Sequence, residues 1–156
     1  MAMLALRALG AVLSYPCPEL RAALPEIAGA IAACRAIPAA ERAALKDLLD
    51  ELAAMDPLDA EERYVELFDR GRATSLNLFE HLHGDARERG RAMVALKELY
   101  ERAGFVLNTP ELPDHLPVLL EYLSCRDRGE IGDMLGDCAD IVRGIGEALV
   151  KRGTAA

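Results

Sequence analysis

The side chains best suited to chemistry in this 156-residue chain are three histidines (His81, His83, His115) and four cysteines (Cys17, Cys34, Cys125, Cys138). His81 and His83 are two positions apart. On a helix that spacing sends them to diverging faces, so they cannot share a metal as an i, i+4 pair can. A surface histidine beside a partly buried one is expected instead. No two cysteines form a C-x-x-C pair, and a chain of this length does not need disulfide staples. Free, mostly buried thiols in a reducing cytoplasm follow. The sequence contains no H-E-x-x-H, G-x-S-x-G, P-loop or dinucleotide fingerprint. No activating base is marked beside any cysteine. The expectation is therefore a protein with no catalytic residue, no metal and no cofactor. A helical enzyme built on His81, His83 or His115 with nearby carboxylates is the weaker rival, because ligand spacing is missing.

Two polar runs hold the remaining candidates. In Glu111-Leu112-Pro113-Asp114-His115-Leu116-Pro117, Asp114 is placed to cap a following helix. Pro117 would be the third helical residue and has no N–H, so only the Leu116 N–H remains for the Asp114 side chain. Its carboxylate then keeps acceptor capacity for an outside donor, and His115 points outward from the helix start. Capping plus a satisfied histidine is the simpler reading of these residues alone. In Asp69-Arg70-Gly71-Arg72-Ala73-Thr74-Ser75-Leu76, Arg70 and Arg72 flank a glycine and precede two N-cap residue types. Such a run suits an anion or carboxylate beside a helix start. An ordinary loop with an arginine paired to a nearby acid suits it equally.

The elements that must position these residues are helical. Hydrophobic residues make up 52% of the chain but aromatics only 4%, so the apolar content is mainly alanine and leucine, both strong helix formers. No segment alternates apolar and polar residues long enough to read as a strand. Helix one spans roughly residues 2–13 and stops before Pro16. Helix two runs from Pro18 to about Cys34, with a kink or break at Pro25. Helix three starts near Pro38 and carries Leu45, Leu48, Leu49 and Leu52. Asp59 with Glu62 reads as the capping box of helix four, which carries Tyr64, Leu67 and Phe68 and ends near Gly71. A short helix covers 75–83. Asp85 with Glu88 opens the next one, which runs to Gly104. A loop covers 105–113, a helix from Asp114 presents Leu116, Leu119, Leu120 and Leu123, and a last helix shows an apolar stripe from Ile131 to Leu149. Its Gly132, Gly136, Gly144 and Gly146 would allow close helix approach, and residues 151–156 would fray. The expected fold is all-α: one domain over residues 1–156, an irregular bundle of seven or eight helices.

Charge narrows the partners. The formal charge is −8 and the pI about 4.9, which disfavours nucleic acid and favours basic peptides. Ten acids and four bases lie between Glu41 and Arg70, and Asp127 to Asp140 is also acidic. Solvated helix faces explain such runs, and a field attracting a basic leader is the functional alternative. The apolar N-terminus lacks a positive n-region and a small-residue cleavage site, and nothing reaches membrane-spanning length. A cytoplasmic protein without membrane insertion is expected.

From Tyr64 to Leu123 the chain reads Y-V-E-L-F-D-R-G-R-A-T-S-L-N-L-F-E-H-L-H-G-D-A-R-E-R-G-R-A-M-V-A-L and later E-L-P-D-H-L-P-V-L-L-E-Y-L. That text resembles the NarJ-type nitrate reductase molybdenum cofactor assembly chaperones (delta subunits), within the TorD-like chaperone family. The likeness is weaker in the opening helix with L-S-Y-P and weak after Ser124. Asn77 falls where such proteins are usually apolar, and relatives often continue into a charged tail. The resemblance implies a system-specific chaperone that binds the basic N-terminal peptide of an apo nitrate-reductase-type catalytic subunit while molybdenum cofactor is inserted. It admits cofactor-delivery proteins as further partners. It makes the Asp114-His115 pair, together with Arg70 and Arg72, a recognition site. Tyr64, Phe68, Leu116, Leu120 and Tyr122 would line or support the groove. A permanent small subunit of the mature complex, a chaperone for a related reductase of selenate or chlorate, and a module dimerising through the last helix stand as alternatives. A monomer or weak homodimer is expected.

Overall fold

Proline and aspartate set where several helices begin. Pro18 and Pro57 stand in the first turns of their helices, where the missing N–H is an orphan in any case. The Asp56 carboxylate accepts from the Leu58 N–H at 2.9 Å, and Asp85 accepts from the Arg87 N–H at 2.7 Å. The computed structural model describes residues 2–153. Among them are α1 (Ala2–Val12), α2 (Pro18–Ala33), α3 (Ala39–Ala54), α4 (Pro57–Phe68), a 3₁₀ turn (Arg72–Thr74), α5 (Phe79–Leu82), α6 (Ala86–Arg102), α7 (Leu116–Leu123) and α8 (Arg128–Gly153). The all-α class and the number of helices are as expected, and no strand occurs among the described residues.

Several boundaries differ from the sequence expectation. The cap of α4 is Asp56, not Asp59, because Pro57 takes the first helical position and moves the start three residues upstream. α2 runs unbroken through Pro25, which lies on its exposed face, where the ring meets solvent instead of a packed neighbour. The 75–83 segment is not one helix. Ser75 is extended, a single antiparallel bridge pairs Asn77 with His115, and only Phe79–Leu82 is helical. α8 stays helical through Lys151 and Arg152, and the rest of the expected frayed end, residues 154–156, lies outside the described residues.

The core has two parts joined by α1. The main part surrounds α7, where Leu116, Pro117, Val118, Leu119, Leu120, Tyr122 and Leu123 are all buried. Full burial of one such side chain stabilises by about 1.5–3 kcal/mol. Tyr100, Phe105 and Tyr122 form a trio of rings with centroids 4.7–5.6 Å apart. α8 lays its half-buried stripe, from Ile131 to Leu149, against this cluster. The smaller part joins Ala8 of α1 to Leu24, Ile27 and Ile31 of α2 and Leu49 of α3. Arg21 crosses from α2 to donate to the Leu52 and Met55 carbonyls at 2.9 and 2.7 Å, capping the end of α3.

Close helix approach occurs at Gly10, not in α8. A Cβ on Gly10 would lie 3.2 Å from the Pro117 carbonyl oxygen and 3.4 Å from Leu120 Cβ, so α1 rests on α7 at a distance where an added methyl group would push on backbone. A Cβ on Gly132, Gly136, Gly144 or Gly146 would meet nothing within 4 Å. Those four glycines face open space because the apolar stripe of α8 occupies the opposite side.

Candidate functional site

Two irregular segments, 75–78 and 113–116, lie side by side ahead of α5 and α7. The Leu78 N–H donates to the Asp114 carbonyl at 3.1 Å, and the Leu116 N–H donates to the Leu76 carbonyl at 2.8 Å. Between these bonds Asn77 faces His115, and Asn77 Oδ1 lies 3.3 Å from His115 Nδ1. The pair is fixed from beneath. The Tyr100 hydroxyl donates to the Pro113 carbonyl at 2.8 Å. The Asp114 carboxylate accepts the Phe79 N–H at 2.9 Å through Oδ2.

Asp114 therefore does not cap α7. His115 takes the N-cap position without a side-chain bond, the Leu116 N–H goes to Leu76, and Asp114 turns back to satisfy the start of α5. Its side chain is buried, and Oδ1 has no hydrogen-bond partner. Burial pushes its carboxyl pKa up, against the pull of the Phe79 N–H. His115 does not point outward either. Its side chain is only 12% exposed, with Glu111 Oε2 3.8 Å from Nδ1. Burial lowers its pKa, opposed by the charges of Glu111, Asp114 and Asp69.

His115 opens onto a cleft of about 630 Å³ between α1, α4, α7 and the 75–77 segment. One wall is aromatic. Tyr15 meets Tyr64 edge-on at 5.6 Å, and Tyr64 meets Phe68 at 4.8 Å. The Tyr64 hydroxyl donates to the Leu13 carbonyl at 2.9 Å, which ties α4 to the end of α1. The rim is acidic: Asp69, Glu111 and Glu121 line it, against Arg7 as the one lysine or arginine among the described lining residues. No cluster of His, Cys, Asp and Glu suited to a metal occurs among the described residues. No described helix is long and apolar enough to cross a membrane. The arrangement offers carboxylates, ring faces and hydrogen-bonding groups to a cationic, partly apolar ligand.

The profile of the nitrate reductase delta subunit family matches residues 34–147, which carry most of this cleft. The chain belongs to that family. It is 48% identical to the nitrate reductase molybdenum cofactor assembly chaperone NarJ of Escherichia coli K12, over 90% of this chain and 60% of that protein. It is 44% identical to the probable chaperone NarW of the same strain, over 69% of this chain and 47% of the relative. It is 35% identical to the probable chaperone NarJ of Bacillus subtilis 168, over 77% and 64% respectively. The chain spans about 60% of the length of the E. coli NarJ that it matches.

Within this delta subunit fold the sequence candidates separate into three groups. His115, Tyr64 and Phe68 line the cleft, and Asp114 lies buried beneath it. Leu116, Leu120 and Tyr122 are core residues, so they support the cleft and do not face it. The Tyr122 hydroxyl donates to Glu130 at 2.5 Å, and burial with that carboxylate pushes its pKa up to about 12. Arg70 and Arg72 are exposed, and neither lines this cleft. Arg72 donates from Nε to the Glu80 carbonyl at 3.1 Å and borders an adjoining cleft with Arg89 and Glu80. His81 and His83 are both partly buried, so neither is the fully exposed histidine expected. His81 Nε2 bonds to the Ser75 carbonyl at 2.8 Å, and the His83 ring meets Phe79 edge-on at 5.5 Å.

Sequence reasoning missed Asn77 as the partner of His115, although its polar side chain in an otherwise apolar run was the signal. It also missed Tyr15, Asp69, Glu111 and Glu121, which come together only through the tertiary fold.

Proposed function

We propose that this delta subunit is a cytoplasmic chaperone of a nitrate-reductase-type molybdoenzyme, and that its cleft holds the basic N-terminal peptide of the apo catalytic subunit. The observation that carries this reading is the acidic, aromatic-walled cleft around His115. The role of its relatives in molybdenum cofactor assembly supports it. A basic side chain would meet Asp69, Glu111 or Glu121, and an apolar one would lie on Tyr64 and Phe68. Asp114 and His115 serve as the polar floor. The protein performs no reaction itself. It holds the peptide, works as a monomer or weak homodimer, and releases the subunit once cofactor is inserted.

The energetics suit a reversible complex. Ordering a flexible leader costs about 2–5 kcal/mol. A net binding free energy of about −8 kcal/mol corresponds to micromolar affinity. The test is calorimetric titration with a synthetic basic N-terminal peptide of a nitrate-reductase-type catalytic subunit. Micromolar binding that weakens with added salt is expected. Absence of heat and of binding at high peptide concentration, with folded protein, would overturn the proposal.

A further inference from the structure

We infer that Arg152, in the last turn of α8, is the positioning residue for the 69–77 wall of the cleft. This rests on the cleft being the peptide site, but the contacts stand apart from that reading. Arg152 Nη1 donates to Thr74 Oγ1 at 2.8 Å, to the Leu67 carbonyl at 3.0 Å and to the Glu66 carbonyl at 3.3 Å. Glu66 and Leu67 belong to the last turn of α4, whose carbonyls have no intrahelical donor. Thr74 ends the 3₁₀ turn and is fully buried. One guanidinium thus ties together both ends of the intervening loop.

The middle of that loop lies directly over the same group. Gly71 has φ +107°, and a Cβ there would lie 2.5 Å from Arg152 Nη2. A side chain at 71 would be strained by the backbone and would strike the guanidinium. The loop carries Asp69, an acid of the cleft rim. Beyond Thr74 it continues through Ser75 into Leu76 and Asn77; Leu76 accepts from the Leu116 N–H and Asn77 faces His115. The wall of the cleft therefore takes its position from a residue about eighty positions further along the chain.

Arg21 supplies an internal control. It caps the end of α3 with the same chemistry, donating to Leu52 and Met55 at 2.9 and 2.7 Å, and does not line the cleft. The experiment compares Arg152→Ala, Arg152→Lys and Thr74→Val with Arg21→Ala. Each is examined by urea denaturation, by titration with the basic leader peptide, and by amide hydrogen exchange. Arg152→Ala should bind the peptide about tenfold more weakly, as expected when charge-assisted hydrogen bonds are lost. Exchange should speed up locally at residues 75–78. Arg152→Lys should restore part of the affinity. Arg21→Ala should lose comparable stability yet bind within about twofold of wild type.

Equal effects of Arg152→Ala and Arg21→Ala on affinity would overturn the inference, as would unchanged exchange at 75–78. If Arg152→Ala does not fold, Thr74→Val removes one acceptor at constant shape and carries the same comparison with a smaller effect. If the wild-type protein binds no peptide, the proposed function fails. The exchange data then decide the positioning role by themselves: acceleration confined to the 69–78 region upholds it, and its absence overturns it.

Discussion

Helices α7 and α8 use their apolar residues in opposite ways. α7 has eight residues and buries seven of them, whereas α8 has twenty-six and buries only Ile145. In sequence α8 has the cleaner helical stripe. Periodicity tells which face of a helix turns inward, but not how deeply the helix sits. α7 is apolar nearly all round, the pattern of a helix enclosed by neighbours. Asp114 and His115 immediately precede the buried helix, so this part of the cleft is anchored on the core. α8 meets the wall of the cleft at its far end, where Arg152 bonds to Leu67 and Thr74.

The largest effect expected from this contrast is in the core. Leu123→Ala, at a fully buried position of α7, should reduce stability by about 2–5 kcal/mol in urea denaturation. Val142→Ala, on the exposed side of α8, should change it by no more than about 0.5 kcal/mol. Similar values for the two would erase the distinction. Next comes the contact between α1 and α7. Gly10→Ala forces a methyl group against the Pro117 carbonyl at 3.2 Å, and backbone cannot step aside as a side-chain end can. A loss of about 1–3 kcal/mol is expected, with α7 and the adjoining 113–116 segment exchanging amide protons faster.

Much of the scaffold is legible in the sequence and much of the site is not, for one physical reason. Helix identity depends on local choices: Pro18 and Pro57 at helix starts, Asp85 as a cap, leucines at i, i+3 and i+4. Even there the nearest competitor can win, as when Pro57 moved the start of α4 and gave the cap to Asp56. The Asp114-His115 pair is visible as a motif, but its wiring is not. The acceptor for the Leu116 N–H is Leu76, forty residues earlier in the chain, and that exchange frees Asp114 for Phe79. Arg152 sits in a stretch that reads as a fraying end, and only the fold brings it to Gly71 and Thr74.

The two members of the motif should oppose each other in their dependence on pH. Burial raises the Asp114 pKa, so the folded state holds that proton more tightly than the unfolded chain does. Its contribution to stability is full below the unfolded value of 3.8 and falls as pH rises through the folded one. Asp114→Asn should remove that fall while keeping an acceptor for the Phe79 N–H. It should be more stable than wild type at pH 7, with the difference closing towards pH 3. His115 has the reverse sign. Its lowered pKa means that stability drops as pH falls below 6.5 towards the folded value. His115→Gln should flatten that part of the profile. Denaturation midpoints from pH 3 to pH 8 separate the two slopes.

The smallest effect tests the open side of α8. Gly136 and Gly144 are helical and exposed, and an added methyl group would meet nothing within 4 Å. Replacing either with alanine removes backbone freedom from the unfolded chain and introduces no clash. Each change should stabilise the protein by about 0.5–1 kcal/mol. Gly10→Ala has the opposite sign because its neighbours leave no such room. If the glycines instead seat a second copy of the chain, alanine at 136 and 144 would weaken self-association. Sedimentation equilibrium would then show a shift towards dimer that grows with protein concentration in the wild type and fades in the variants. A gain in stability with unchanged sedimentation would assign these glycines to solvent and leave α7, with its close contact at Gly10, as the helix on which the packing depends.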